Sequence, residues 1–154
     1  MVLREIIANE VLVITLCSWA ITQVIKVFVV LIRERRFDAR YFVRSGGMPS
    51  AHSAVVAALS TGIAMTQGLG SAAFSVAAIM ALIVMYDAAG VRRSVSRQSV
   101  ILDRMLKEIR LGGPRDKVER DLRQFIGHTP FQVIIGAVLG VLVAWLWLTL
   151  SNGL

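Results

Sequence analysis

The chain has 154 residues, of which 56% are hydrophobic, and its mean hydropathy is +0.68. This composition excludes an ordinary soluble domain and fits one membrane-embedded domain, residues 1–154. The formal net charge is +7, but no aromatic residues interleave with the arginines, so the basic excess does not indicate nucleic-acid binding. Cys17 is the only cysteine, which excludes an intramolecular disulfide and a cysteine-based zinc site.

Four apolar segments are predicted to be membrane helices, since a spanning helix needs about 20 mostly apolar residues. They cover roughly residues 11–32, 51–66, 72–86 and 131–150. The two middle segments are short and rich in Ala, Ser and Gly, which lets helices approach closely and is compatible with a homodimer. The sequence TQGLGSA between them predicts a tight turn. We therefore predict an all-α integral membrane bundle with about four transmembrane helices.

A basic, amphipathic region separates the third and fourth apolar segments. VILDRMLKEIRL, residues 100–111, places its apolar side chains on one helical face, and GGP then interrupts the pattern before RDKVERDLRQFI. We expect one or two amphipathic helices here, lying on membrane lipids at the surface.

Positive charge is concentrated in two stretches. Residues 33–44 contain five arginines against two acidic residues, and residues 92–123 contain ten Lys/Arg against five Asp/Glu. The positive-inside rule predicts that both stretches are cytoplasmic. The N-terminus would then lie outside, and the motifs described next would lie at the cytoplasmic face.

The first apolar segment carries a polar face. Its members recur at spacings of three, four and four residues, with Gln23 beside them: Thr15, Ser18, Thr22 and Lys26. A lysine within a spanning helix costs roughly 2.5–3.5 kcal/mol, so Lys26 should face a polar interior. It either extends to the membrane surface or binds an anion such as phosphate.

Both histidines of the chain stand at the start of an apolar segment. In SGGMPSAHSA, residues 45–54, we expect Pro49 in the first helical turn, with Ser50 or Ser45 as the N-cap. His52 then lies beside free backbone amides that bind anions. In GHTPFQVIIG, residues 127–136, His128 precedes a predicted N-cap at Thr129. Two histidines at matched positions on one membrane face favour a functional site.

Asp87 in MYDAAGVRR ends the third apolar segment, where the helix dipole disfavours a carboxylate. It therefore needs a partner, which Arg92, Arg93, Arg97 or a histidine can supply. Two interpretations remain open. Asp87 either forms a buried ion pair that fixes the loop, or it orients a histidine or phosphate-binding arginines.

These segments together resemble the signatures of the type-2 phosphatidic acid phosphatase and vanadium haloperoxidase superfamily, most closely its divergent bacterial branch. The resemblance covers roughly residues 20–140 and includes the spacing Lys26-x6-Arg33. It implies hydrolysis of a phosphate ester, often on a lipid, without metal or cofactor, here in the bacterial cytoplasmic membrane. By similarity, His128 attacks phosphorus and forms a phosphohistidine, while His52 protonates the leaving oxygen.

Cations and amides must hold the phosphate if no metal does. By similarity Lys26, Arg33, the Gly47 amide and Ser50 take this role. The arginine expected about six residues before His128 is replaced by Leu122. Arg123 is displaced from that position by one residue, and Arg92 or Arg93 at the end of the third segment could substitute. Where the superfamily has an aspartate four residues after the nucleophile, this chain has Gln132. We expect Asp87 to supply that carboxylate, within about 6 Å of His128 or a motif arginine.

The sequence therefore predicts a membrane phosphatase of a lipid phosphate such as phosphatidylglycerophosphate or phosphatidate. Gln132 and the displaced arginine motivate an alternative, a catalytically inactive protein of the same fold that binds lipid head groups or serves as a membrane scaffold. A third interpretation, an anion transporter using Lys26 and Asp87, ranks last because four short helices leave little room for alternating access.

Overall fold

A computed structural model describes residues 2–35, 47–90, 98, 101 and 129–151. Its described elements are five helices: α1 Val2–Ala8, α2 Glu10–Glu34, α3 Ala51–Gln67, α4 Ala72–Ala89 and α5 Pro130–Ser151. The predicted all-α class is confirmed, and the four apolar segments correspond to α2 to α5 with ends shifted by three residues at most. The sequence analysis did not predict α1. The amphipathic helices expected within residues 100–126 lie outside the described residues, apart from Ile101.

Three of the described helices are long and apolar enough to cross a membrane, namely α2 over Glu10–Ile32, α4 and α5. The second predicted span, α3, has 17 residues, which corresponds to about 25 Å of helix, less than the hydrocarbon thickness. It is the central helix, in contact with α2, α4 and α5. Its Ala, Ser and Gly residues explain this position, because small side chains allow three neighbours to pack closely around one helix.

The backbones of α3 and α5 approach each other closely at two glycines of α5. Gly136 of α5 lies against the Ser50 carbonyl, and Gly140 lies against the carbonyl of Ala54, one turn further along. A Cβ on Gly136 would stand 3.1 Å from the Ser50 carbonyl carbon, and one on Gly140 would stand 2.9 Å from that of Ala54. Because contacts advance by four residues in the same direction on both helices, α3 and α5 run parallel.

The predicted polar face of α2 packs against α3 and is buried. The Ser18 hydroxyl donates to the Ala54 carbonyl over 3.4 Å, while Val11 of α2 lies beside Gly62 further along α3. The later residue of α2 therefore contacts the earlier residue of α3, which means that α2 and α3 are antiparallel. Thr15 and Thr22 donate to carbonyls of their own helix, to Val11 and Ser18 respectively, which satisfies these hydroxyls inside an apolar environment.

A small apolar cluster fills the centre of the bundle, and it consists of Ile14, Ala58, Ala144 and Leu148. Most large apolar side chains of α4 and α5 instead point outward, as expected of helices whose outer faces contact lipid. The tight turn between α3 and α4 is confirmed at Gly68–Ser71, with Gly68 at a φ of 84°. The ends of α2 and α4 and the starts of α3 and α5 therefore lie at one end of the bundle.

We predict that Gly140→Ala destabilises the protein, because the added methyl group collides with the backbone of Ala54 and must push α3 and α5 apart. The expected loss is about 1–3 kcal/mol in the free energy of unfolding, measured by thermal or denaturant unfolding in detergent. Gly70→Ala is the matched control, since a Cβ there has no atom within 4 Å. Equal stability of the two variants would contradict the close contact.

Candidate functional site

Lys26 lies at the boundary between the apolar core and the polar end of the bundle. Only 2% of the residue is exposed, and its aliphatic chain runs beneath the segment that leads into α3. A Cβ on Gly47 would lie 3.9 Å from Lys26 Cδ. Lys26 and Gly47, both predicted to bind phosphate, are thus brought together.

Ser50 caps the start of α3. Its hydroxyl oxygen accepts hydrogen bonds from the Ser53 amide at 3.4 Å and from the Ser53 hydroxyl at 3.0 Å, and both serines are fully buried. Of the two N-caps considered from the sequence, Ser50 is therefore the observed one. The prediction of Pro49 in the first turn is wrong, because α3 begins at Ala51 and Pro49 precedes the cap. Pro49 therefore lies outside the helix, in the segment that precedes it.

The start of α5 is fixed by a reciprocal pair of hydrogen bonds. The Gln132 amide donates to Thr129 Oγ1 at 3.4 Å, and the Thr129 amide donates to Gln132 Oε1 at 3.0 Å. This is a capping box, in which two helix-terminal donors are satisfied by two side chains. The predicted cap at Thr129 and first-turn position of Pro130 are confirmed. The sequence analysis missed this role of Gln132, although the Thr-x-x-Gln spacing is its usual signature.

The two helix starts are joined directly. The Ser50 amide donates to the Gln132 carbonyl at 3.2 Å, so the N-termini of α3 and α5 are neighbours on one side of the site, and Lys26 lies near the same point. Each helix N-terminus carries roughly half a positive charge. Two such ends, with the buried Lys26 packed against the segment leading into α3, form a positive region suited to an anion. No cluster of metal-binding side chains is found within the described part of the chain.

The remaining predicted site residues are either exposed or lie partly or wholly outside the described residues. His52 is the second residue of α3 and is exposed. Asp87 is exposed in the last turn of α4, which continues to Ala89 rather than ending at the aspartate. The backbone of Arg33 belongs to the last turn of α2, but its side chain lies outside the described residues. His128, Arg92 and Arg93 lie wholly outside the described residues.

Gln23 is a polar residue to which the sequence analysis gave no role. It lies three residues before Lys26 on α2 and is 6% exposed. Its side-chain oxygen is buried and accepts no hydrogen bond within the part of the chain that the structure describes. The only sequence signal was a polar amide next to the polar face of a membrane helix.

Comparison with known proteins gives two matches. A family model described as "Divergent PAP2 family" matches residues 7–143. The chain is also similar to "Uncharacterized membrane protein YuiD" of Bacillus subtilis (strain 168), with 36% identity over 149 residues, covering 90% of this chain and 94% of that protein. No solved structure matches the chain significantly.

We predict that Gln132→Leu lowers the stability by about 0.5–2 kcal/mol, because the Thr129 amide loses its acceptor at the start of α5. Gln132→Glu keeps a side-chain oxygen at the same place and adds a favourable charge at a helix N-terminus, so it should be at least as stable as the native protein. Unfolding in detergent measures both. A purely catalytic role for residue 132 would predict no stability difference between the two variants.

Proposed function

Because the chain belongs to the divergent PAP2 family, we propose that it is an integral membrane phosphatase that hydrolyses a lipid phosphate monoester. The observation that carries the proposal is the buried Lys26, whose side chain packs against Gly47 in the segment that leads into α3, where the starts of α3 and α5 are hydrogen-bonded to each other. Phosphate has the charge and the acceptor oxygens that such a site lacks. The proposed substrates include phosphatidylglycerophosphate and phosphatidate.

The phosphate would be held without a metal. Lys26 supplies a desolvated cation, and the Gly47 backbone, with a φ of 103°, allows close approach of an oxygen to the amide. In the proposal Ser50 contributes from the α3 cap. Arg33, together with Arg92 or Arg93, completes the positive charge around the equatorial oxygens.

The reaction would proceed in two steps. A ring nitrogen of His128 attacks phosphorus, the bond between phosphorus and the lipid oxygen breaks, and His52 gives its proton to that oxygen. Water then attacks the phosphohistidine and passes a proton to His52, while the bond between phosphorus and nitrogen breaks. Inorganic phosphate leaves and both imidazoles return to their starting states. Asp87 is proposed to stabilise the histidine or the arginines through its negative charge.

The proposed location is the cytoplasmic face of a bacterial cytoplasmic membrane. Two observations support it. The starts of α3 and α5 and the ends of α2 and α4 lie at one end of the bundle, and the strongly basic stretches of the sequence connect those same helix ends. Positive charge of this kind is retained on the cytoplasmic side.

A second candidate is a catalytically inactive protein that binds lipid head groups with the same site. One position favours it. Gln132 stands where the superfamily has a carboxylate, and because its side chain is a neutral amide it offers no negative charge to an imidazolium. Its Oε1 accepts the Thr129 amide and so serves the cap of α5. The cation and the two helix N-termini would then bind phosphate without cleaving it.

We predict that the purified protein releases phosphate from lipid phosphates in detergent micelles, and that Lys26→Met lowers kcat/KM by about 10²–10³-fold, because an aligned cation is removed from the developing charge. His128→Ala should abolish release while folding persists. Thr15→Val is the control, since it removes a hydroxyl from the same face of α2, and this hydroxyl donates to the Val11 carbonyl of its own helix. Unchanged turnover in Lys26→Met would refute the assigned phosphate site.

Vanadate distinguishes the two candidates, because its trigonal-bipyramidal adducts resemble the transition state of phosphoryl transfer. A working phosphatase should be inhibited by vanadate and protected by it against thermal unfolding, and Lys26→Met should lose this protection. Protection by inorganic phosphate without any turnover or preference for vanadate would instead support the inactive head-group-binding protein.

A further inference from the structure

Gln23 lies on the same buried sector of α2 as Lys26. Among residues 22–27, the buried positions are Thr22, Gln23, Lys26 and Val27. Residues three apart on a helix are surface neighbours, with Cβ atoms about 5–6 Å from each other. The side chains of Gln23 and Lys26 therefore leave α2 side by side on its buried face, and the proposed function assigns Lys26 to phosphate.

The oxygen of this carboxamide is left without a donor. Gln23 Oε1 is buried and accepts no hydrogen bond from the residues that the structure describes. The nearby hydroxyls are committed elsewhere, since Ser18 donates to the Ala54 carbonyl and Thr22 donates to the Ser18 carbonyl. A buried acceptor without a partner destabilises a folded protein. Such a group is explained when a ligand supplies the missing donor.

The chemistry of the neighbour restricts what that donor can be. An ionised phosphate carries only acceptor oxygens, so it cannot satisfy a carboxamide oxygen. A hydroxyl group next to the phosphate can, because it donates one hydrogen bond. A glycerol head group that carries the phosphate on one carbon and a free hydroxyl on the next has this arrangement, whereas phosphatidate has no free hydroxyl.

We propose that Gln23 is a specificity-determining residue whose side-chain oxygen accepts a hydrogen bond from a hydroxyl that the lipid substrate carries beside its phosphate. The inference rests on the proposed function and narrows its substrate class to lipid phosphates with a hydroxyl-bearing head group. Lys26 recognises the phosphate, and Gln23 recognises the group next to it.

The test compares two lipids that differ in one hydroxyl. Phosphatidylglycerophosphate is assayed against its analogue with propane-1,3-diol in place of the head-group glycerol, in the same mixed micelles. The native protein should prefer the hydroxyl-bearing lipid by about tenfold or more in kcat/KM. Gln23→Leu should bring this ratio close to one. Thr22→Val, a neighbour whose hydroxyl bonds within its own helix, should keep the native ratio. An unchanged ratio in Gln23→Leu overturns the inference and leaves the phosphatase proposal standing.

A stability measurement tests the same residue without turnover. If Gln23 Oε1 serves to bind a ligand and does not stabilise the ligand-free fold, Gln23→Leu should raise the midpoint of thermal unfolding of the ligand-free protein, because a buried unsatisfied oxygen is replaced by an apolar group. A lower midpoint would show that the amide is structural and would overturn the inference.

Absence of phosphate release from every lipid would refute the phosphatase instead. The preference between the two lipids is then measured as the protection that each gives against thermal unfolding. Loss of this preference in Gln23→Leu supports the inference, and equal protection of the native protein by both lipids overturns it.

sn-Glycerol 3-phosphate carries a neighbouring hydroxyl without acyl chains. Its hydrolysis as efficiently as the lipid would overturn the lipid part of the substrate class.

Discussion

The contact between the backbones of α3 and α5 determines the arrangement of the site. Gly136 and Gly140 have no side chains to hold the helices apart, so the carbonyls of Ser50 and Ala54 lie directly against α5. This parallel contact sets the register in which the Ser50 amide meets the Gln132 carbonyl. Two positive helix ends that would otherwise be separated by the width of their side chains become neighbours. Dispersion forces and backbone proximity, rather than the hydrophobic effect, stabilise such contacts in a membrane.

The polar groups of α2 divide into two classes by how their hydrogen bonds are satisfied. Thr15 and Thr22 bond to their own helix, and Ser18 bonds to α3, so these hydroxyls are satisfied by the fold itself. Lys26 and Gln23 are buried at the end of the same face, and Gln23 Oε1 accepts no hydrogen bond from the described residues. On this face of α2, the three hydroxyls are therefore satisfied within the fold, whereas the side-chain oxygen of Gln23 is not.

Much of this architecture could be predicted from the sequence, because apolar segment length and the spacing of polar residues determine helix positions and the buried face of α2 directly. The cap at Thr129 followed from local chemistry in the same way. Pro49, predicted in the first turn, lies two residues before the first helical residue, since a proline is compatible with positions both before and after an N-cap. The pairing of Gly136 with Ser50 could not be derived, because a small-residue pattern does not identify its partner helix. The catalytic and phosphate-binding roles assigned to the site residues all remain predictions, and His128, Arg92 and Arg93 also lie outside the described residues.

At the end of the bundle that carries the candidate site, α2 extends further than the start of α3. α2 continues for eight residues beyond Lys26, to Glu34, which is about 12 Å of helix, whereas α3 begins close to the level of Lys26. On the α2 side, the helix thus extends about two turns beyond the start of α3. An anion bound beside Lys26 would be partly removed from bulk water, in surroundings where the effective dielectric constant is lower and mobile counterions penetrate less. Its attraction to the ammonium should therefore depend only weakly on ionic strength, unlike the attraction of lipid head groups to arginines on an open membrane surface.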